Sequence, residues 1–293
     1  MPTIQERMDK LLVSIKQNSE RQKEEEMQQL EEKEKAKLIQ LPLWPEMARG
    51  VPNSVLRGSL FAAIHGRYAK QCKREVLHDS DKMKIVYTGE RLTQADLDVW
   101  EYALHLSRQQ CLGNKICFSE RSFLKGLGRH FGKFEYEWLK NVFAKLVACC
   151  VEVTHEGKTY FGNLIQDGYR DNEAGDYVLI VNPKIARLYD AGHTYIQWNE
   201  RKKIGNKKPL ALWLHGYIST HVKWYPHKVS TLRDLSGSET RELKRFKQSL
   251  KQALDHLKRL DIINDFRIDE KNLVHLTKKV TKSQQKYLEK KLQ

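Results

Sequence analysis

Residues 227–277 read HKVSTLRDLSGSETRELKRFKQSLKQALDHLKRLDIINDFRIDEKNLVHLT. His227 to Ser230 form a short β-type run, and Thr231 can cap a brief helix, TLRDL. Ser236-Gly237-Ser238 is a turn, and Ser238 is placed to cap a long helix from Glu239 to Leu260. Within that helix Leu243, Phe246, Leu250, Leu254 and Leu257 recur at three- and four-residue spacing, which puts them on one face. DIINDFRIDEKNLVHLT then supplies two β-rich runs joined across Asp269-Glu270-Lys271-Asn272, a hairpin signal. Two helices, a tight turn and a hairpin in that order predict a winged helix-turn-helix.

The face opposite the leucines carries Arg241, Arg245, Gln248 and Gln252, with Lys244 and Lys251 beside them. In helix-turn-helix docking the N-terminal half of the second helix meets base edges. Arginine can bond guanine with two hydrogen bonds, and glutamine can do the same for adenine. Lysines suit phosphates, as do the turn residues Ser238 and Thr240 and the hairpin cations Arg267 and Lys271. A solvated cationic face is the plain alternative; its place after a helix and turn favours recognition.

Upstream, the same order occurs once before. Asn53 is a candidate cap for a helix over Val55–His65, and MKIVYT (83–88) reads as a strand. Thr93 caps a periodic helix, KICFS (115–119) is a strand, and Glu120–Leu127 is a short helix. A Gly-containing turn leads to a helix over 134–148, and residues 151–165 form a hairpin around His-Glu-Gly-Lys. The expected fold class is α+β: two tandem winged-helix domains, over 41–190 and 191–280, preceded by a charged helical or disordered tail over 1–40 and followed by a basic tail over 281–293. The first domain's second helix opens Phe-Glu-Tyr-Glu-Trp, with carboxylates where phosphates would approach. Arg129, His130 and Lys133 beside it remain candidate backbone contacts, and a weaker DNA contact or a protein–protein role is expected of this domain.

Charge is uneven along the chain. Residues 191–293 hold 23 Lys/Arg against 10 Asp/Glu, so nearly all of the net +15 lies in the last third. A field that one-sided attracts a polyanion, with steep salt dependence. The five cysteines form no CxxC pair, and Cys111, Cys117 and His130 do not have zinc-site spacing, so reduced structural thiols and no metal or other cofactor are expected. No long apolar run suggests a membrane span, and the N-terminus lacks a secretory pattern; a cytoplasmic location is the expectation.

LPLWPE, IVYTGERLTQADLDVWEYALHLSRQQ, FSERSFLKGLGRH, NPKIARLYD, KPLALWLHGYISTH, YPHKVSTL and SGSETRELKRFKQSLKQAL together resemble TrfA-type plasmid replication initiators, over about residues 41–260. The resemblance implies a protein that binds repeated double-stranded origin sequences (iterons) and helps open an A·T-rich segment. It implies recruitment of the host initiator, replicative helicase and sliding clamp, with active monomers and inactive dimers; single-stranded origin DNA is a further candidate partner. Gln40-Leu41-Pro42-Leu43-Trp44 looks like a clamp-binding peptide, with apolar anchors Leu41, Leu43 and Trp44 suited to a groove; packing against the domain is the equal alternative. A winged-helix repressor is the rival binding module. His105-x-x-Arg108 with Tyr136 hints at a DNA strand-breaking enzyme, but the companion upstream arginine motif is missing. No phosphate-binding G-x-x-x-x-G-K-[ST] loop is present, so a non-enzymatic role is expected.

Overall fold

Alternation in Met83-x-Ile85-x-Tyr87 buries every second side chain, and this strand is the spine of the first half of the molecule. A computed structural model describes residues 44–66, 69–109 and 115–279. The charged N-terminal tail, Gln40, Leu41, Leu43, Cys111 and the C-terminal basic tail lie outside the described residues.

The first half runs β1 (Ala48–Pro52), α1 (Asn53–Arg57), β2 (Phe61–Ala62), β3 (Gln71–Asp79), β4 (Met83–Glu90), β5 (Leu92–Thr93) and α2 (Gln94–Gln109), then β6 (Lys115–Ser119), α3 (Glu120–Leu127) and α4 (Lys133–Ala148). It continues with β7 (Cys150–His155), β8 (Lys158–Gly162), β9 (Ile165–Arg170), β10 (Asp176–Val181), a 3-10 turn (Pro183–Tyr189) and β11 (His193–Gln197). Antiparallel sheets form in the orders β3-β4-β7-β8 and β6-β10-β9, and β1 pairs with β11 across most of this half.

Thr93 opens α2 as expected: its backbone N–H donates to Asp96 Oδ2 at 2.8 Å, and Asp96 is paired with Lys145 at 2.7 Å. Ser119 caps α3 by accepting from Ser122 N–H, and the β7–β8 turn places Glu156 and Gly157 at positive φ. The helix expected over Val55–His65 stops at Arg57 instead. Gly58 leaves the helix in extended backbone, passing so close to the Leu77 carbonyl oxygen that a Cβ there would stand 2.7 Å from it, and Phe61 and Ala62 pair in parallel with Leu92 and Thr93.

The second half runs α5 (Trp198–Ile204), α6 (Pro209–Ser219), β12 (His227–Lys228), α7 (Val229–Leu235), α8 (Leu243–Arg259), β13 (Ile263–Ile268) and β14 (Leu273–Lys278), with sheet order β12-β14-β13. Its core gathers Ile204, Leu212, Leu214, Ile218, Leu232, Phe246, Leu250, Leu254, Leu257, Ile263 and Val274, distinct from the upstream core built around Trp100, Phe123 and Leu146. The molecule is a mixed α/β structure.

Polar bonds hold the two cores together. Arg201, almost fully buried, bonds Asp98, donates to Gln94 Oε1 at 3.0 Å, and donates to the Leu212 carbonyl at 3.1 Å. Arg57 donates to the Thr220 side chain and carbonyl at 3.0 and 2.8 Å, and Trp213 Nε1 donates to the Gly58 carbonyl at 3.1 Å. A buried guanidinium is tolerated only with such complete hydrogen bonding. These bonds fix the base from which α7 and α8 project.

Candidate nucleic-acid interface

α8 is amphipathic because its apolar residues recur near the helical period. Phe246, Leu250, Ala253, Leu254 and Leu257 are buried, largely against α6, while Lys244, Arg245, Gln248, Ser249, Lys251 and Gln252 are exposed. Burial of each large apolar side chain stabilises the helix's seat by about 2 kcal/mol. Every α8 residue expected to face DNA is therefore on the solvent side.

The helix begins four residues later than the sequence predicts. Ser238 does not cap it: its hydroxyl instead accepts from Thr240 N–H at 3.3 Å, and Glu242 takes the cap position without its side chain bonding the helix's first N–H groups. Residues 239–242 offer no apolar side chain to the core, so Leu243 is the first that packing can hold. Arg241 consequently lies in the loop ahead of α8, its carbonyl accepting from Arg233 at 3.2 Å. The preceding turn is anchored to the upstream half: Ser236 is buried, its carbonyl accepts from Ala63 N–H at 2.8 Å, and Gly237 adopts φ 63°.

Between α8 and the β13–β14 hairpin runs a cleft of about 660 Å³. Lys244, Lys247, Lys251, Lys258 and Arg267 line it with Gln248; Phe266 and Ile268 supply its apolar lining, and Asp255 is its acidic group. The cleft's walls are tied at both ends. Lys247 Nζ donates to Asn272 Oδ1 at 2.7 Å, joining the first half of α8 to the hairpin turn, and Lys258 pairs with Asp265 at 2.8 Å near the other end. In the turn, Asp269 accepts from His275 and from Leu273 N–H, bonds that hold its carboxyl below its ordinary value, and Asn272 takes φ 57°. Lys271 is exposed at this tip, and Arg267 on β13 is exposed along the cleft.

Lys244, Lys251, Arg267 and Lys271 make no ion pair among the described residues, so their charge is available to a phosphate. Arg245 pairs with Glu242 at 2.9 Å, but both side chains are more than 60% exposed, so exchanging that pair for another partner costs little. Lys247 and Lys258 are cleft residues the sequence reading passed over. The stripe Lys244, Gln248, Lys251, Lys258, at steps of four, three and seven residues, was the available signal.

The family model of the TrfA protein matches residues 3–278. The chain belongs to the TrfA family. It is 23% identical over 257 residues to the plasmid replication initiator protein TrfA of Escherichia coli, covering 83% of this chain and 66% of that protein. The chain thus spans just under two thirds of that relative's length. A crystal structure of domains 2 and 3 of RctB is similar in fold, with a TM-score of 0.55 and 14% identity over 79% of this chain and 100% of that one. A looser likeness, TM-score 0.47 and 12% identity over 64% of this chain and 94% of the other, is to Pi initiator protein in complex with iteron DNA.

In this TrfA-family chain the upstream pair of helices joined by a tight turn is α3–α4. Gly128 ends α3 at φ 73°, and the turn brings Arg129 Nε to 2.6 Å from Glu135 with its guanidinium 3.6 Å from the Trp138 ring centroid. Arg129 is therefore committed to the domain's own packing rather than presented to a phosphate, whereas Lys133 is exposed. The acidic start of α4 is also less repulsive than its sequence suggests. Glu135 is neutralised by Arg129, and Glu137 by Lys140 at 2.6 Å.

Of the clamp-like peptide, Trp44 is described. Its ring is 3% exposed, its Nε1 donates to His105 Nδ1 at 3.2 Å, and the Arg108 guanidinium lies 5.0 Å from its centroid. In this conformation the ring is part of the domain and is not offered to a partner's groove. The same contacts account for His105 and Arg108: both hold Trp44, and His105 also meets Glu46 at 3.0 Å. Their spacing on α2 reflects packing rather than a strand-breaking centre. Among the described residues no His/Cys/Asp/Glu group could hold a metal ion, and no helix is long and apolar enough to cross a membrane.

Proposed function

We propose that this chain is a plasmid replication initiator that binds iterons through two tandem winged-helix units, divided near residue 190, with α8 lying in the major groove. The observation that carries the reading is the cleft between α8 and the hairpin, lined by five cations and one acid, with α8 bonded to the hairpin at Lys247 and Lys258. Membership of the TrfA family supports origin recognition as its purpose. In the docked complex Arg245 and Gln248 read base edges, Arg241 approaches from the loop, and Lys244, Lys251, Gln252, Arg267 and Lys271 position the backbone, with Ser238, Thr240 and Lys133 at the margins. Opening of an adjacent A·T-rich segment, recruitment of the host initiator, helicase and clamp, contact with the opened single strand, a monomer–dimer balance and a bacterial cytoplasmic setting complete the proposal.

The test is footprinting of the full chain on the origin of its own plasmid, paired with a maintenance assay. Regularly spaced protected repeats, and a plasmid that persists only when the protein is supplied, are the expected outcome. Protection of a promoter alone, with plasmid persistence independent of the protein, would replace the initiator by a repressor.

A further inference from the structure

We infer that Phe134 reads thymine methyl groups on the floor of the major groove, giving the upstream helix–turn–helix a direct share in sequence recognition. The inference rests on the proposed docking to duplex DNA. Phe134 is 92% exposed, more than any other large apolar side chain described, and it occupies the second position of α4. A ring so placed contributes almost nothing to folding, because its apolar surface stays in water in the free protein. In the same helix–turn–helix Arg121 and Lys125 on α3, His130 in the turn and Lys133 beside Phe134 are exposed. Phe131, itself 46% exposed, lies beneath the Arg121 guanidinium at 5.1 Å and so steadies that charge. Because Glu135, next to Phe134 in the chain, is paired internally with Arg129, this segment presents rings and cations to solvent with that carboxylate neutralised. That combination favours a polyanion carrying apolar groups over a protein surface of mixed charge.

Geometry selects the groove and the group. A helix with its side chains is about 10–12 Å across and fits the major groove, about 12 Å wide, but not the minor groove at about 6 Å. The early residues of the second helix face base edges in this docking. A phenyl ring makes no conventional hydrogen bond there, and the apolar group that base pairs display in the major groove is the C5-methyl of thymine.

The experiment compares wild type and Phe134→Ala on two duplexes of the footprinted repeat, one natural and one with uracil replacing thymine, which removes only the methyl groups. Because the ring is exposed, the variant should melt with the wild type. Wild type should bind the uracil duplex about three- to fivefold more weakly for each methyl contacted, the factor expected when one methyl group is withdrawn from water. Phe134→Ala should bind the thymine duplex that much more weakly, with no further loss on uracil. The same uracil penalty in both proteins overturns the inference, as does an equal loss by the variant on both duplexes. Weakened binding confined to single strands overturns it too and reassigns the ring to base stacking. A Lys244→Ala/Lys251→Ala protein, weakened through α8, should keep the uracil penalty. Failure of wild type to protect any origin duplex would refute the initiator reading and this inference together, whereas normal protection with an inert Phe134 would refute this inference alone.

Discussion

Replacing Lys244 and Lys251 together with alanine tests whether α8 is held by phosphates. The two lysines are seven residues apart on the same exposed face, about 10 Å along the helix axis, and both line the cleft. That separation lets each lysine meet a phosphate of its own. If each neutralises its own, the slope of log affinity against log salt should fall by about 0.9 per lysine, roughly 1.8 in total. Raising salt from about 50 to about 200 mM is a fourfold change, so the variant's affinity deficit should shrink by a factor of about 12 across that range. Alanine is the best helix former and both side chains are exposed, so stability should change by no more than about 0.5 kcal/mol. Fluorescence anisotropy on a labelled duplex of the footprinted repeat, titrated at several salt concentrations, measures the slope directly. A slope equal to wild type would show that these lysines do not meet phosphates and would remove α8 from the electrostatic footprint.

Arg201→Ala should cost about 3–5 kcal/mol, because it leaves the buried side of Asp98 and two backbone carbonyls without their donor; a urea midpoint within error of wild type would mean that the seam between the two cores bears little load. Trp44→Ala should cost roughly 3–5 kcal/mol by emptying the pocket over Gly50, again read as a urea midpoint. Unchanged stability with lost sliding-clamp retention would instead return Trp44 to a clamp-binding role. The third concerns acid: burial pushes His221 down to about 4 and also lowers His215, against an unfolded value near 6.5. Their neutral forms are favoured in the folded state, so the stability they contribute is complete above about pH 6.5 and lost as pH falls towards 4. Buried Glu101, held well above the carboxylate range, acts in the opposite direction. A melting temperature that is flat or rising from pH 6.5 to 4.5 would contradict a net histidine effect, and His221→Gln should flatten a falling one.

What the amino-acid sequence determined by itself is everything that depends on neighbours a few residues away. The apolar stripe Phe246–Leu250–Leu254–Leu257 dictates which face of α8 is buried and hence that Lys244, Gln248 and Lys251 are presented to solvent. The α3–turn–α4 order and the β7–β8 and β13–β14 hairpins were legible for the same reason: caps, glycines and alternation act locally. Strand β3 was missed because QCKREVLHD buries only Cys72 and Leu77, too little alternation to register. The pairing of β1 with β11 joins segments some 145 residues apart and has no local signature. Only the tertiary structure decided which charges are spent and which are free. Arg129 and Glu135 both looked available, yet the turn before α4 closes one upon the other and leaves Phe134 in the open. Arg201 looks like any surface cation in its WNERKKI context, and Trp44 like an anchor on a tether, until distant partners bury them. An ion pair or a buried ring is settled by whichever side chain packing brings within a few ångströms, and sequence spacing does not encode that distance.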